Sequence, residues 1–245
     1  YSLIARLWQP DSILELDEKN YLSFSPRLIR FGSSGLAGVW AEENTRESIY
    51  NAFRRKETFG TSGPRIKVRF FAGYNFENSN LNDQDLIQEA YSKNVPMGGD
   101  IIQEKGKNPR FLVWAISDPL GAPLQRVQII KGWLADGEQR EKVFDVACSD
   151  GQSVNALNHR CPDNGAKVNL DDCSISREKG NAEIKTFWQD PEFSNDQEAF
   201  YYARVLENPT CRWSTWDAVR AEEKPRSDIP VTIQERAWSS PIWIK

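Results

Sequence analysis

Glu42 and Glu43 stand where a short run of small apolar residues, 36–40, hands over to a helical pattern across 44–56. A strand-to-helix crossing is where α/β folds present reactive side chains, so either carboxylate is a candidate acid, base or substrate contact. Acids also favour a helix N-terminus for electrostatic reasons alone. Arg46, in the first turn of that helix, can reach an anionic substrate or simply solvate the helix face. Gly60, Ser62, Gly63 and Arg65 have the composition of a small anion-binding turn, and a β connection explains them as well. His159 is the one histidine in 245 residues. Histidine is the commonest metal ligand and the usual base near neutral pH, so a multi-histidine metal site or a compact Ser/His/Asp triad is hard to assemble here. A metal role for His159 would draw on Asp163 and on neighbouring cysteines better suited to pairing. Asp190, Asp217 and Glu235 have no partner at motif spacing and receive no catalytic role.

The four cysteines, Cys148, Cys161, Cys173 and Cys211, contain no C-x-x-C pair, which argues against zinc. Three pairings are possible. Joining Cys161 to Cys173 would close a short polar loop and restrain the unfolded chain by roughly 3 kcal/mol, leaving Cys148 for Cys211. Disulfides imply a periplasmic or extracellular protein; four buried thiols would imply the cytosol.

The elements that must hold these residues are mostly strands. Residues 1–31, broken by Pro10 and Pro26, read as an extended segment with one short helix. In the helix at 44–56, Asn44 is placed to cap with Glu47 three positions later, and Arg54, Arg55 and Lys56 suit the negative end of the dipole. Ile49, Ala52 and Phe53 recur at helical spacing, which predicts an inward face containing Ile49 and Phe53. Then Ile66, Val68 and Phe70 alternate with Arg65, Lys67 and Arg69, the mark of a half-buried strand. Further strands are expected at 110–117, 126–134, 142–147, 182–188 and 199–207, with one short polar helix at 83–92. Strands joined by short turns point to a mainly β fold with a minor α part, an antiparallel sandwich. The loop at 155–176 is long enough to need a staple or a function.

Composition bounds the function classes. A net charge of −4 gives no electrostatic footprint for nucleic acid, and no run approaches the roughly 20 apolar residues of a membrane span. Nine tryptophans suit aromatic β packing, with carbohydrate stacking as the alternative. Tyr1 in place of an initiator methionine reads as a processed or truncated chain.

Five stretches carry a resemblance: GLAGVWAEENTRESIYNAFRRKETFGTSGPRIKVRFFAGY at 35–74, VPMGGD at 95–100, RVQIIKGW at 126–133, FYYARVLENPTCRWSTWDA at 200–218 and QERAWSSPIW at 234–243. Together they resemble the C-terminal part of the domain of unknown function 3604 family, from about Gly32 onward. The resemblance implies a bacterial, often exported protein whose full-length relatives are similar to metal-dependent hydrolases of the polymerase and histidinol phosphatase type. It implies an N-terminal barrel that carries the metal ligands, in an early His-x-His and a late Asp-x-His segment. Neither segment is in this sequence. By the same resemblance residues 36–40 and 44–56 are the last strand-helix unit of that barrel. Residues 1–64 then belong with the barrel, and residues 65–245 form an appended β-sandwich-like domain.

The expected function is therefore a non-catalytic C-terminal portion of an exported metal-dependent hydrolase. This chain would hold no cofactor of its own, the full-length protein would hold a divalent metal, and its partners would be the barrel portion and a small-molecule substrate. Glu42, Glu43 and Arg46 are the candidate site residues. An accessory module binding carbohydrate or a protein partner, and a purely structural domain, are the competing readings.

Overall fold

The computed structural model describes residue 32 and residues 34–76, 80–195 and 197–245. The extended segment expected over 1–31 lies outside the described residues.

In chain order the elements are β1 (Leu36–Val39), α1 (Arg46–Arg54), β2 (Thr58–Thr61), β3 (Lys67–Gly73), α2 (Leu86–Lys93), β4 (Val95–Pro96) and β5 (Asp100–Ile101). The long strands β6 (Arg110–Ile116), β7 (Leu124–Ala135), β8 (Glu138–Cys148), β9 (Glu183–Gln189) and β10 (Ala199–Glu207) follow. The chain closes with β11 (Thr210–Cys211), α3 (Trp213–Arg220), β12 (Thr232–Ile233), β13 (Arg236–Ser239) and β14 (Ile242–Ile244). Among the described residues no helix is long and apolar enough to cross a membrane.

Two sheets account for most of the strands. An eight-stranded sheet is built around β10, with β7 and then β8 on one side, and β13 and β14 on the other. β13 continues to β2 and β1, and β14 to β5. A four-stranded sheet runs β4-β3-β6-β9, antiparallel throughout. Only the short β5–β14 pair among the named ladders is parallel.

Alternation explains why the sheets stack. Ile66, Val68 and Phe70, with Phe111, Val113 and Ala115 of β6, form one apolar face of the four-stranded sheet. That face packs on Val127 and Ile129 of β7 and on Tyr201, Ala203 and Val205 of β10 in one continuous core. Phe71 and Leu112 point the opposite way, and α2 covers them with Leu86 and Ala90. The four-stranded sheet is thus covered in part on its second face as well, which is why β6 reads as a nearly unbroken apolar run, while β3 alternates through Lys67 and Arg69 before ending in Phe70, Phe71 and Ala72.

Two buried aspartates are held by several donors each. Asp190 is fully buried and takes Lys131 Nζ at 2.7 Å and the Tyr201 hydroxyl at 2.7 Å on the same oxygen. Asp145 accepts from Gln128 Nε2 at 2.6 Å and from the Cys161 backbone N–H at 2.7 Å.

Several expectations need correction. All four cysteines are bonded, but as Cys148–Cys161 and Cys173–Cys211. The reason is the path of the 149–164 loop. It folds back over the end of β8, where Asp145 holds the Cys161 N–H and the Asp145 N–H holds the His159 carbonyl, so Cys161 is delivered beside Cys148. Cys173 then crosses to β11. Helix α1 is capped by Thr45, which accepts from the Ser48 N–H at 3.3 Å, one residue later than expected. Its buried residue is Ala52, while Phe53 is 51% exposed. Periodicity located the apolar stripe but not the small area of contact, which only one alanine fills. Gly60, expected in a turn or β connection, lies within strand β2.

The VPMGGD stretch ties α1 to the large sheet. Gly98 has φ 88, its N–H donates to the Pro241 carbonyl at 2.9 Å, and a β-carbon there would lie 2.4 Å from the Lys56 carbonyl oxygen. Only glycine tolerates both the dihedral and the approach.

Candidate functional site

The expected site residues divide on inspection. Glu42 lines a cleft of about 530 Å³ together with Trp40, Ala41, Arg55, Glu57, Arg69, Tyr91 and Pro96. Glu43 and Arg46 are exposed and do not line it. The Glu43 backbone N–H instead donates to Ser48 Oγ at 3.1 Å, a second contact that secures the start of α1.

Each wall of this cleft comes from a different element. Trp40 follows β1 and donates through Nε1 to the Val68 carbonyl at 2.8 Å. Arg69 projects from the outward side of β3, lays its guanidinium 3.7 Å from the Trp40 ring centroid and donates to the Tyr91 hydroxyl at 2.7 Å. Tyr91, on α2, donates in turn to Glu57, which also pairs with Arg55 at 3.5 Å. Burial, reinforced by the bond to Glu57, pushes the Tyr91 hydroxyl up to about 12. The cleft therefore presents two guanidinium groups and the Glu57 carboxylate in a chain of contacts, with the exposed Glu42 also in its lining and a tyrosine that stays protonated.

A second cleft, of about 770 Å³, opens where the 118–122 turn, the 172–177 loop and α3 meet. Sequence reasoning missed it. Its lining includes Asp118, Leu120, Ile175, Arg177, Trp216 and Glu235, with Glu207 of β10 in its wall. Glu207 is only 1% exposed. Its Oε2 receives the Ala122 N–H at 3.4 Å and its Oε1 has no hydrogen-bond partner. Burial pushes the Glu207 carboxyl up to about 8, and the negative charges of Asp118 and Glu235 push the same way against the Ala122 N–H. Asp118 behaves differently. Although its burial opposes ionisation, donation from the Arg65 and Leu120 backbone N–H groups holds its carboxyl below the ordinary range. One signal for Glu207 was legible: Tyr201, Ala203 and Val205 point inward at every second position of β10, and the next such position is a glutamate.

The remaining expectations resolve plainly. Gly60 is within β2, the Ser62 N–H donates to the Arg236 carbonyl at 2.9 Å, the Gly63 N–H to Thr61 Oγ1 at 3.2 Å and the Arg65 N–H to Asp118 at 2.7 Å, so the backbone donors at 62, 63 and 65 are spent on protein acceptors rather than on a free anion. His159 occupies a turn with φ 54 and rests its ring against Phe144 at 5.2 Å. Asp190 is held by Lys131 and Tyr201, and Asp217 by Arg220 at 3.8 Å on the surface of α3. Among the described residues no group of three or more His, Cys, Asp or Glu side chains is placed to hold a metal ion.

No curated protein and no solved structure matches the chain. A family model does, that of the protein of unknown function DUF3604, and it matches residues 10–245. With nearly its whole length matched, and with both clefts built from the matched residues, the chain belongs to the DUF3604 family.

Proposed function

We propose that this chain is the β-rich C-terminal part of an exported metal-dependent hydrolase, and that it walls the substrate side of that site without supplying metal ligands. The observation that carries this reading is the Glu42 cleft, where Arg55 and Arg69 converge beside the strand-to-helix crossing. Guanidinium groups pair with phosphate oxygens in a fixed fork geometry, so the cleft suits the anionic part of a phosphoester. Arg69 is held from two sides, by the Trp40 ring and the Tyr91 hydroxyl, and such pre-positioning is what a substrate contact requires. The two disulfides support an oxidising compartment. Sugar stacking on Trp40 is the less supported alternative, because Arg69 already covers that indole face.

The test uses the full-length protein, with p-nitrophenyl phosphate as substrate and manganese or zinc added back after chelation. Turnover should depend on metal, and Arg69→Ala should raise KM several-fold with metal content unchanged. Metal-independent turnover, or an Arg69→Ala variant with unaltered kinetics, would overturn the reading.

A further inference from the structure

Among the described residues Glu207 is the one buried carboxyl in the second cleft, and none of them completes its hydrogen bonding. Its neighbours explain its position without satisfying it. The Glu207 N–H is spent on the Glu235 carbonyl at 3.0 Å, Asn208 beside it is tied to Asn164 and Lys179, and Gly121 passes so close that a β-carbon there would lie 2.9 Å from Glu207 Oε1. A side chain at 121 would press on the carboxyl, whereas glycine leaves Glu207 in the cleft wall, with Oε1 just beneath the cleft surface.

The surroundings define a ligand. Asp118 and Glu235 face Glu207, Asp172 lies on the rim, and among the described residues Arg177 is the only cation in the lining. The cleft is net negative even when Glu207 carries a proton. Leu120, Ile175 and the exposed indole of Trp216, whose ring centroid lies 5.3 Å from the Arg220 guanidinium against 3.7 Å for Arg69 over Trp40, add apolar surface on its sides. A negative pocket with an apolar and aromatic wall matches an organic cation, whose charge is attracted to both carboxylate and indole face.

We propose that this cleft binds a primary ammonium group carried on an apolar body, with Glu207 as its counter-ion and Trp216 as its aromatic contact. The ammonium donates to the Glu207 oxygen that lacks a partner, and its charge replaces the proton that Glu207 holds near neutral pH. Binding is therefore coupled to proton release: the carboxyl gives up its proton to buffer as the ammonium nitrogen takes that proton's place beside it.

Benzylamine is the probe, and the 245-residue chain is titrated calorimetrically at pH 7 in two buffers of different ionisation enthalpy. The expected result is saturable one-to-one binding with about one proton released per ligand. Benzyl alcohol, the neutral analogue, should bind at least tenfold more weakly. Glu207→Gln should lose about tenfold in affinity and all proton release, with circular dichroism confirming the fold. Trp216→Ala alters an exposed residue, keeps the fold and should weaken binding several-fold, so it serves if Glu207→Gln does not fold. Three results would each overturn the proposal: no saturation by about 10 mM, equal binding of benzyl alcohol, or binding to wild type without proton release.

Discussion

Lys131 Nζ lies 2.7 Å from Asp190 Oδ2, with both side chains almost wholly buried between β7 and the 190–193 turn. Lys131 also donates to the Glu192 carbonyl at 2.9 Å, and Tyr201 completes the cluster from β10. Burying an ion pair gains little against apolar residues of the same size, but removing one partner strands the other charge. Asp190→Ala should therefore cost about 3–5 kcal/mol in urea unfolding, and Lys131→Met with Asp190→Leu together should cost less than Asp190→Ala. A double variant that loses as much as Asp190→Ala or more would show that a stranded charge is not the cause of the loss.

The stability of the chain should fall as pH rises from about 5 to about 8. Glu207 is raised from 4.5 to about 8 in the folded state. A raised carboxyl contributes stability that is complete below its unfolded value and is lost as pH climbs through its folded value. The slope has a ceiling of about 1.4 kcal/mol per pH unit. Denaturant midpoints measured at intervals across this window should fall for wild type and stay nearly level for Glu207→Gln.

Peptide mapping under non-reducing conditions should recover Cys148 joined to Cys161 and Cys173 joined to Cys211. Their separations are 13 and 38 residues. In the loop-entropy model the paired serine replacements should then cost about 3 and about 4 kcal/mol respectively. Recovery of a Cys161–Cys173 peptide would contradict the loop path over β8.

Replacement of Phe53 by serine should change stability by no more than about 0.5 kcal/mol, the range of ordinary surface substitutions. Ala52→Asp, one residue earlier on α1, should cost several-fold more, because it places a charge at a fully buried position. Thermal melts of the two variants side by side check the corrected face of the helix.

A stable protein carrying residues 1–245 alone should retain no stoichiometric zinc, manganese or iron after dialysis. The expectation rests on the ligands present: a catalytic zinc site uses three protein ligands, and His159 packs edge-on against Phe144. Elemental analysis checks it, and a retained metal whose removal abolishes turnover would make Glu42, Glu43 and His159 the first residues to replace.

Local pattern was enough for the long strands, because alternation follows from the pleat itself, whereas β2, β4, β5 and β11 to β14, of two to four residues each, are too short to show a period. Residues 199–207 were expected as a strand and are β10, and the inward set of Ile66, Val68 and Phe70 is buried as the period of two requires. The four cysteines and the absence of a multi-histidine set were equally a matter of composition. What only the tertiary structure decided are relationships between segments far apart in the chain. Loop length favoured Cys161 with Cys173, but the hydrogen bonds of Asp145 carry the loop elsewhere. Helical spacing put Phe53 inward, but the neighbouring surface accommodates only Ala52. Glu42 was legible as a candidate from its place before a helix, whereas Arg69 and Tyr91, 22 residues apart in sequence, meet only because α2 lies across β3. Glu207 reads from sequence as the polar end of a strand. Its meaning comes from the turn at 118–122 and the chain before β13, which bring Asp118, Ala122 and Glu235 around a carboxyl that β10 had already turned inward.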